Sequence, residues 1–555
     1  MNGYVLLVGE RGRSRRTPPG LVRIQGGSWL TLFGTSLPSL LFGNKGLLIG
    51  QLFERRSHRP VRSSPDIDSI FSLSPDDLLH LYWGNYVLVR ETSIDTVEIL
   101  RDPSGSLPCF LGRRDGVLFL ASDAAAADRL SLLGDARPDL EQMAEWLQFP
   151  FLRGTRTMLA GVDEAIPGSL LELGPRRSLP RQAWRPARFA ASANAHVDSL
   201  SFRRLVTDCV AAQIGDRPAL LQLSGGLDSS IVAACLRSVG SRFNAVTFAT
   251  RSRDGDEVKW ARMVCDHLGI ALAVVRENDA ICLPPSILSF RPGANLLMAA
   301  IDQLLELHRE EVGAALLFDG GAGDSLFGYS GTAAPVVDAF GAGHGWRTLS
   351  SIAAHSGASW WRVLRASLRQ AWRPSAYRWF EDRSFLEPGA LRRAAEPHPW
   401  LVDIMMLPPG KAEHLASLVH IQHFLDRHAI GGEHRHPLFC QPLIETCLGI
   451  PSWQWNALGQ DRLVARQAFA DALPPAITTR RTKGSLEGFV HRRFDALKAS
   501  LSELILDGTL AKSGLINRSA AEAALRSSAD GSVKMRLSEI ATLEHWLASW
   551  RARTR

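Results

Sequence analysis

Leu221-Gln222-Leu223-Ser224-Gly225-Gly226-Leu227-Asp228-Ser229-Ser230 is the stretch on which the reading of this chain turns. Ala219 to Leu223 is an apolar run with the length of a buried parallel strand. Ser229 to Arg237 (SSIVAACLR) then has the apolar content and length of a helix packed on a sheet. A Ser-Gly-Gly turn between strand and helix makes an anion cradle. The free N–H groups of the first helical turn, and the positive end of its dipole, face the place where the glycines let a phosphate approach. Ser224, Ser229 and Ser230 add hydroxyl donors, and Asp228 sets a carboxylate where Mg2+ would sit beside phosphates. The spaced GxxxxGK[ST] of a Walker loop is absent, so this is a nucleotide cradle of another kind.

The totals narrow the class. A chain of 555 residues is too long for one ordinary core, so two or more domains are expected. With 45% hydrophobic and 21% charged residues, and no repeat or low-complexity block, it reads as a soluble globular protein. No apolar run reaches the ~18 residues needed to span a bilayer. Met1 to Glu10 carries its charges after its apolar stretch, the reverse of a secretory signal, so no membrane partner is expected. Seven cysteines (109, 209, 235, 265, 282, 440 and 447) are scattered and lack CxxC pairing. That pattern favours reduced thiols and a cytoplasmic protein. The net charge of +7 is mild. Two basic clusters, Arg11, Arg13, Arg15 and Arg16, and then Arg480, Arg481, Lys483, Arg492 and Arg493, lack the interleaved aromatics of a nucleic-acid surface. Anionic substrates suit both, and no nucleic acid is expected.

The first 185 residues are strand-rich by pattern, with strands at 3–8, 46–52, 86–90, 96–100, 116–121 and 168–173. Leu100-Arg101-Asp102-Pro103-Ser104-Gly105, Pro108 and Val117 to Ser122 resemble the RDPxG…P…FASE signature of the glutaminase half of class-B asparagine synthetases. Gly84-Asn85 resembles that domain's substrate-side turn, and Gly161-Val162 with Ile166-Pro167-Gly168 resembles its closing strand. The resemblance implies an α+β, Ntn-hydrolase-like sandwich over 1–185. That fold uses an N-terminal Cys as nucleophile. Here Asn2 follows Met1 and no cysteine precedes Cys109, which sits inside a strand pattern and reads as core. Glutamine hydrolysis is therefore expected to be absent, with the domain kept as a scaffold.

Residues 186–199 (PARFAASANAHVDS) lack a period and are taken as a linker. From 200 to 555, apolar strands alternate with longer helical patterns, the signature of a parallel α/β sheet. Phe243 to Thr250 reads as a strand, and 256–268, 299–312, much of 346–379 and 520–555 as helices. The string at 224–230 matches the SGGxDS loop of ATP pyrophosphatases, which cleave ATP to AMP and pyrophosphate. The resemblance thus implies an adenine nucleotide α-hydrolase-like synthetase domain. Ala314 to Tyr329 (AALLFDGGAGDSLFGY) resembles the family's SGxGxD segment, with Gly320 and Asp324 matched, Asp319 in place of Ser, and Gly321 in place of a Glu. Glu433-His434-Arg435-His436-Pro437-Leu438 resembles ExRxPF, with Cys440 where Asp should follow. Arg480 to Gly484 resembles the family's basic loop.

Carried over residue by residue, the resemblance implies ATP contacts at Leu223, Ser224, Gly225, Gly226, Asp228, Ser229, Ser230 and Gly320. Phe248 is either an adenine contact or sheet core. Asp228 and Asp324 would share Mg2+, unless both are turn formers or helix caps. Lys483 would stabilise charge over the reacting centre, unless it is one more surface lysine. Glu433 and Arg435 would be a structural ion pair on the substrate side. His420 and His423, three apart, invite a zinc reading that no completing ligand supports.

Together these features describe an ATP- and Mg2+-dependent synthetase that activates a carboxylate as an acyl-adenylate and captures it with an amine. The missing Glu, the altered PFLD and the length suit a lasso-peptide cyclase, which joins an Asp or Glu side chain of a precursor peptide to its N-terminus. A leader peptidase and a leader-binding protein would then be partners. A β-lactam-synthetase-like or asparagine-synthetase-like small-molecule enzyme, and a non-catalytic nucleotide-binding scaffold, remain as alternatives.

Overall fold

Alternation organises the first half of the chain. In β1 (Tyr4–Val8) all five residues are buried, so the strand needs a layer on each side. The computed structural model describes residues 3–553 apart from 9–16, 27–29, 35–39, 44, 63–66, 94–95, 135, 174–179, 193–196, 252–255, 278–281, 286, 294, 330, 374–376, 426–432, 483 and 528–529. Among the described residues, β2 (Val22–Gly26), β3 (Leu30–Gly34), β4 (Leu40–Gly43), β5 (Gly46–Glu54), β6 (Tyr82–Ser93) and β7 (Thr96–Arg101) follow β1. Then come β8 (Phe110–Arg114), β9 (Val117–Ala121), β10 (Val162–Glu164), β11 (Ser169–Leu173) and β12 (Arg181–Gln182). They form two antiparallel sheets ordered β10-β8-β9-β1-β3-β2 and β12-β11-β7-β6-β5-β4.

Tyr4, Leu6 and Val8 meet Leu47 and Ile49 of β5, Val87 and Val89 of β6 and Ile99 of β7 between the sheets. Val5 and Leu7 belong instead to a cluster with Ala124, Ala127, Met143 and Leu147, from the helices Ala124–Arg129 and Leu140–Gln148. The domain is an α+β sandwich of two antiparallel sheets with helices packed on its outer face. Cys109 is fully buried in the inter-sheet layer, and burial pushes its thiol up to about 11, so it is core.

Five parallel strands organise the second half: β13 (Ala219–Gln222), β14 (Phe243–Ala249), β15 (Leu272–Arg276), β16 (Leu316–Phe318) and β17 (Glu433–Arg435), in the order β15-β14-β13-β16-β17. The chain builds β14 and β15 to one side of β13, then returns to lay β16 and β17 on the other. The carboxyl ends of β13 and β16 therefore flank a topological switch point, where an open sheet leaves a crevice. This is the α/β ATP-pyrophosphatase fold.

The two halves share one core. The outer face of the second antiparallel sheet (Leu48, Leu52, Tyr86, Leu88) runs into Ile231, Phe318, Phe327 and Trp455. Within the segment expected as a linker, Ala187 and Ala190 of the short helix Ala187–Ala191 are buried in that core. The tryptophan-rich stretch is helical over Gly345–Ser356 and Trp360–Ala371, whereas Trp379 lies beyond those helices and donates to the Pro150 carbonyl at 3.1 Å. No helix of the described residues is long and apolar enough to cross a membrane.

Candidate active site

The crevice at the switch point is a cleft of about 210 Å3, lined by Gln222, Ser224, Asp228, Asp319, Arg462 and Arg480 among others. Its floor is built by glycines. Gly225 has φ +69°, and a Cβ there would fall 2.4 Å from backbone atoms of Trp260 and Ala261. Only glycine allows the loop to press on the helix Val258–Leu268. Across the cleft, a Cβ on Gly323 would lie 2.4 Å from Cγ of Asp228, so the turn after β16 closes directly against that carboxylate.

The helix Leu227–Ser238 starts at Gly226 with no side-chain cap among the described residues. The first N–H groups of a helix lack partners within it, which suits this end to an anion. Ser224 and Ser229 hold each other at the mouth, Oγ to Oγ 3.1 Å, while the Ser230 hydroxyl donates back to the Gly226 carbonyl at 2.7 Å. Leu223 and Ser230 are fully buried, so their side chains support the loop from behind.

Asp228 and Asp324, 96 residues apart in sequence, converge on one cation. Nη1 of Arg462 lies 3.2 and 3.4 Å from the two carboxylate oxygens of Asp228 and 2.5 Å from Oδ1 of Asp324. Its Nε donates to Asp461 at 2.7 Å, and Asp461 also pairs with Arg466 at 2.7 Å. Burial by itself would weaken the Arg462 charge, but Asp228, Asp324 and Asp461 hold its proton far above the ordinary range. Burial likewise would raise Asp461, and Arg462 and Arg466 hold it below the usual carboxylate range. A set of carboxylate oxygens already gathered around a positive charge has the donor chemistry of a Mg2+ site.

Sequence reasoning missed Arg462. It adopts a left-handed backbone, φ 51°, just ahead of the helix Leu463–Ala468, and nothing local marks it. Arg480 came in only as one member of a basic cluster. It is clamped by Glu257 at 2.6 and 2.9 Å, lies 4.3 Å over the Trp260 ring and donates to the Gly225 carbonyl at 3.3 Å.

Other expected residues stand elsewhere. Phe248 is 8% exposed and packs edge-on against Phe489, in the core position that was one of its two readings. Glu433 and Arg435 do pair, with Arg435 Nε donating at 2.7 Å. Arg435 also donates to Gln51 of β5 at 2.7 Å, across to the sandwich, and Glu433 pairs with Arg217 of the synthetase half at 2.6 Å. His420 and His423 sit among Phe151, Phe424 and Trp146 rings. Lys483, Asn2 and the cluster Arg11 to Arg16 lie outside the described residues.

A glycine cradle facing paired acids at the switch point has the donor chemistry to hold a nucleoside triphosphate, an arrangement that points to the class of ATP-dependent ligases. Within it, the asparagine synthase family model matches residues 201–548, more than half of the chain, and the chain belongs to that family. It is similar to the carboxyethyl-arginine beta-lactam-synthase of Streptomyces clavuligerus, 27% identical over 235 residues that cover 40% of this chain and 42% of that protein. It is also similar to the glutamine-hydrolyzing GMP synthase of Stenotrophomonas maltophilia, 41% identical over 75 residues, 13% of this chain and 14% of that one. The matches thus span less than half the length of these curated relatives. Among solved structures, a glutamine phosphoribosylpyrophosphate amidotransferase from B. subtilis aligns at 12% identity and TM-score 0.21, over 58% of this chain and 85% of that one. A likeness that loose says nothing about the site.

Proposed function

We propose that this ligase adenylates an Asp or Glu side-chain carboxylate of a precursor peptide and closes it onto the peptide's N-terminal amine as a macrolactam, the reaction of lasso-peptide cyclases. One observation carries the step from ligase to peptide. A chiefly apolar cavity of about 440 Å3 adjoins the nucleotide cleft and shares Gln222 with it. Both halves of the molecule line it, with Phe151 from the sandwich and Leu296, Ile301, Val490 and Trp546 from the synthetase half. Aspartate would leave such a chamber largely unfilled. Apolar residues flanking the reacting acid of a peptide would fill it.

The chemistry follows from the cleft. A carboxylate oxygen attacks the α-phosphorus of ATP, the bond to the bridging oxygen of the β-phosphate breaks, and pyrophosphate leaves. The N–H groups at the start of the helix Leu227–Ser238 hold the departing charge, and Arg480, fixed by Glu257, lines the same side. Mg2+ held by Asp228 and Asp324 would neutralise the phosphate oxygens. The amine nitrogen then attacks the acyl carbon and loses a proton, and AMP departs with the former carboxylate oxygen. Lys483 follows Arg480 and Thr482, which line the cleft, and is assigned the charge that builds on that oxygen. A leader peptidase and a leader-binding protein would supply the free N-terminus.

A second reading has its own support. The similarity to carboxyethyl-arginine beta-lactam-synthase favours closure within one small molecule. Offering the enzyme ATP, Mg2+ and either a leader-cleaved peptide with an internal Asp or Glu, or a β-amino acid, separates the two. The peptide should lose one water with stoichiometric AMP. Loss of water from the β-amino acid alone would transfer the assignment to the second reading.

A further inference from the structure

Among the described residues, one group of His, Cys, Asp and Glu side chains brings three ligand atoms within 4.8 Å of one another: Asp319, His434 and His436. Asp319 directly follows β16, and the two histidines stand on and just past β17, its parallel neighbour. Asp319 Oδ1 lies 2.7 Å from His436 Nδ1, and Oδ2 lies 3.0 Å from His434 Nε2. The other nitrogen of His436, Nε2, lies 2.8 Å from the Leu425 carbonyl.

His436 thus has an oxygen acceptor at each ring nitrogen. A neutral imidazole cannot donate to both, because one nitrogen would meet an oxygen lone pair to lone pair. A positive charge between Nδ1 and Oδ1 resolves the conflict, supplied either by a second ring proton or by a metal ion. The surroundings favour the metal. A ligating histidine characteristically donates its far N–H to a backbone carbonyl, as His436 does to Leu425. The Gly321 N–H donates to Asp319 Oδ1 at 2.7 Å and fixes the carboxylate. A second imidazole already points at the same acid. Glycine at 321 keeps a side chain off the pair: a Cβ there would lie 2.6 Å from His436 Nδ1 and 2.8 Å from Asp319 Oδ1. Asp319 and Gly321 both line the cleft.

We infer that Asp319, His434 and His436 form a site for a divalent transition-metal ion, of the zinc or cobalt kind, whose open position faces the nucleotide cleft and takes an anionic oxygen of the substrate. Two imidazoles and one carboxylate suit such ions, whereas Mg2+ prefers oxygen ligands alone. The spacings of 2.7 and 3.0 Å, one to each oxygen of Asp319, would open and the three ligand atoms, now all within 4.8 Å of one another, would settle to about 3.3 Å around an ion with bonds of about 2.0 Å. This site is separate from the all-carboxylate pair at Asp228 and Asp324, and does not rest on the peptide reading.

Untagged full-length protein, stripped with chelator and titrated with Co2+, tests it. About one equivalent should bind with tetrahedral visible absorption, and Zn2+ should displace it mole for mole by elemental analysis. Asp319→Ser and His436→Gln, each checked for an unchanged thermal midpoint without metal, should lose the signal at least tenfold in affinity, and His434→Gln serves if either fails to fold. Asp228→Ala should keep it. Absence of a stoichiometric ion in the wild type, or a site that survives these substitutions, would overturn the inference and leave a proton bridging His436 to Asp319.

Discussion

At the scale of single residues, the cleft depends on two carboxylates held together by a guanidinium. Asp228→Ala should lower ATP–pyrophosphate exchange about a hundredfold or more while leaving the fold intact, because the loss falls on phosphate charge and not on packing. Arg462 carries the opposite expectation. With Arg462→Gln, Asp228 and the partly exposed Asp324 lose the cation between them, at a cost of about 2 kcal/mol. Millimolar Mg2+ should restore much of the thermal midpoint, and failure of any divalent ion to do so would remove these acids as a cation site. Asp228 and Asp324 stood out in the sequence because each sits in a glycine-dense string that follows an apolar run. Arg462 was not, since its meaning arises only when residues 228, 324 and 462 meet in space.

At the scale of elements, the glycine turn after β13 sets how close a phosphate can come. Gly225→Ala meets both a left-handed backbone and the backbone of Trp260 and Ala261, and should destabilise the protein by about 1–3 kcal/mol and raise KM for ATP. An unchanged KM would mean that the loop does not contact the nucleotide. Strands made of mostly apolar runs, such as β1, β9, β13 and β14, were readable. Others were not, for physical reasons. β17 is Glu-His-Arg, with no apolar residue, and is a strand because its backbone pairs with β16 and its charges find Arg217 and Gln51. β10 and β12 are three and two residues long, too short to show a period.

At the scale of the whole molecule, the sandwich is bolted to the synthetase half by buried charge. Glu164 of β10 accepts from Arg101 at 2.9 Å, Arg153 at 3.0 Å and Arg291 of the synthetase half at 2.6 Å. Burial would raise Glu164, but Arg153, Arg291 and Arg101 hold it at about 2, against 4.5 ordinarily. Because the folded value is depressed, this stabilisation of about 3 kcal/mol is complete above pH ~4.5 and is lost as pH falls toward 2. Glu164→Gln should therefore cost about 3–5 kcal/mol at neutral pH, leaving three buried guanidiniums, and should flatten the acid limb of the stability curve. An unchanged acid limb in chemical denaturation would show that this cluster does not join the halves. In the stretch 186–199, read as a linker, composition does not reveal that Ala187 and Ala190 are buried.

The proposed reaction turns on one step, the conversion of a carboxylate into an AMP ester. A leader-cleaved peptide whose Asp or Glu side chain carries 18O in both oxygens, turned over once with ATP, reports on that step alone. One 18O should appear in the phosphate of AMP and one should stay in the amide product. Label in inorganic phosphate or pyrophosphate, or unlabelled AMP alongside closed product, would contradict it.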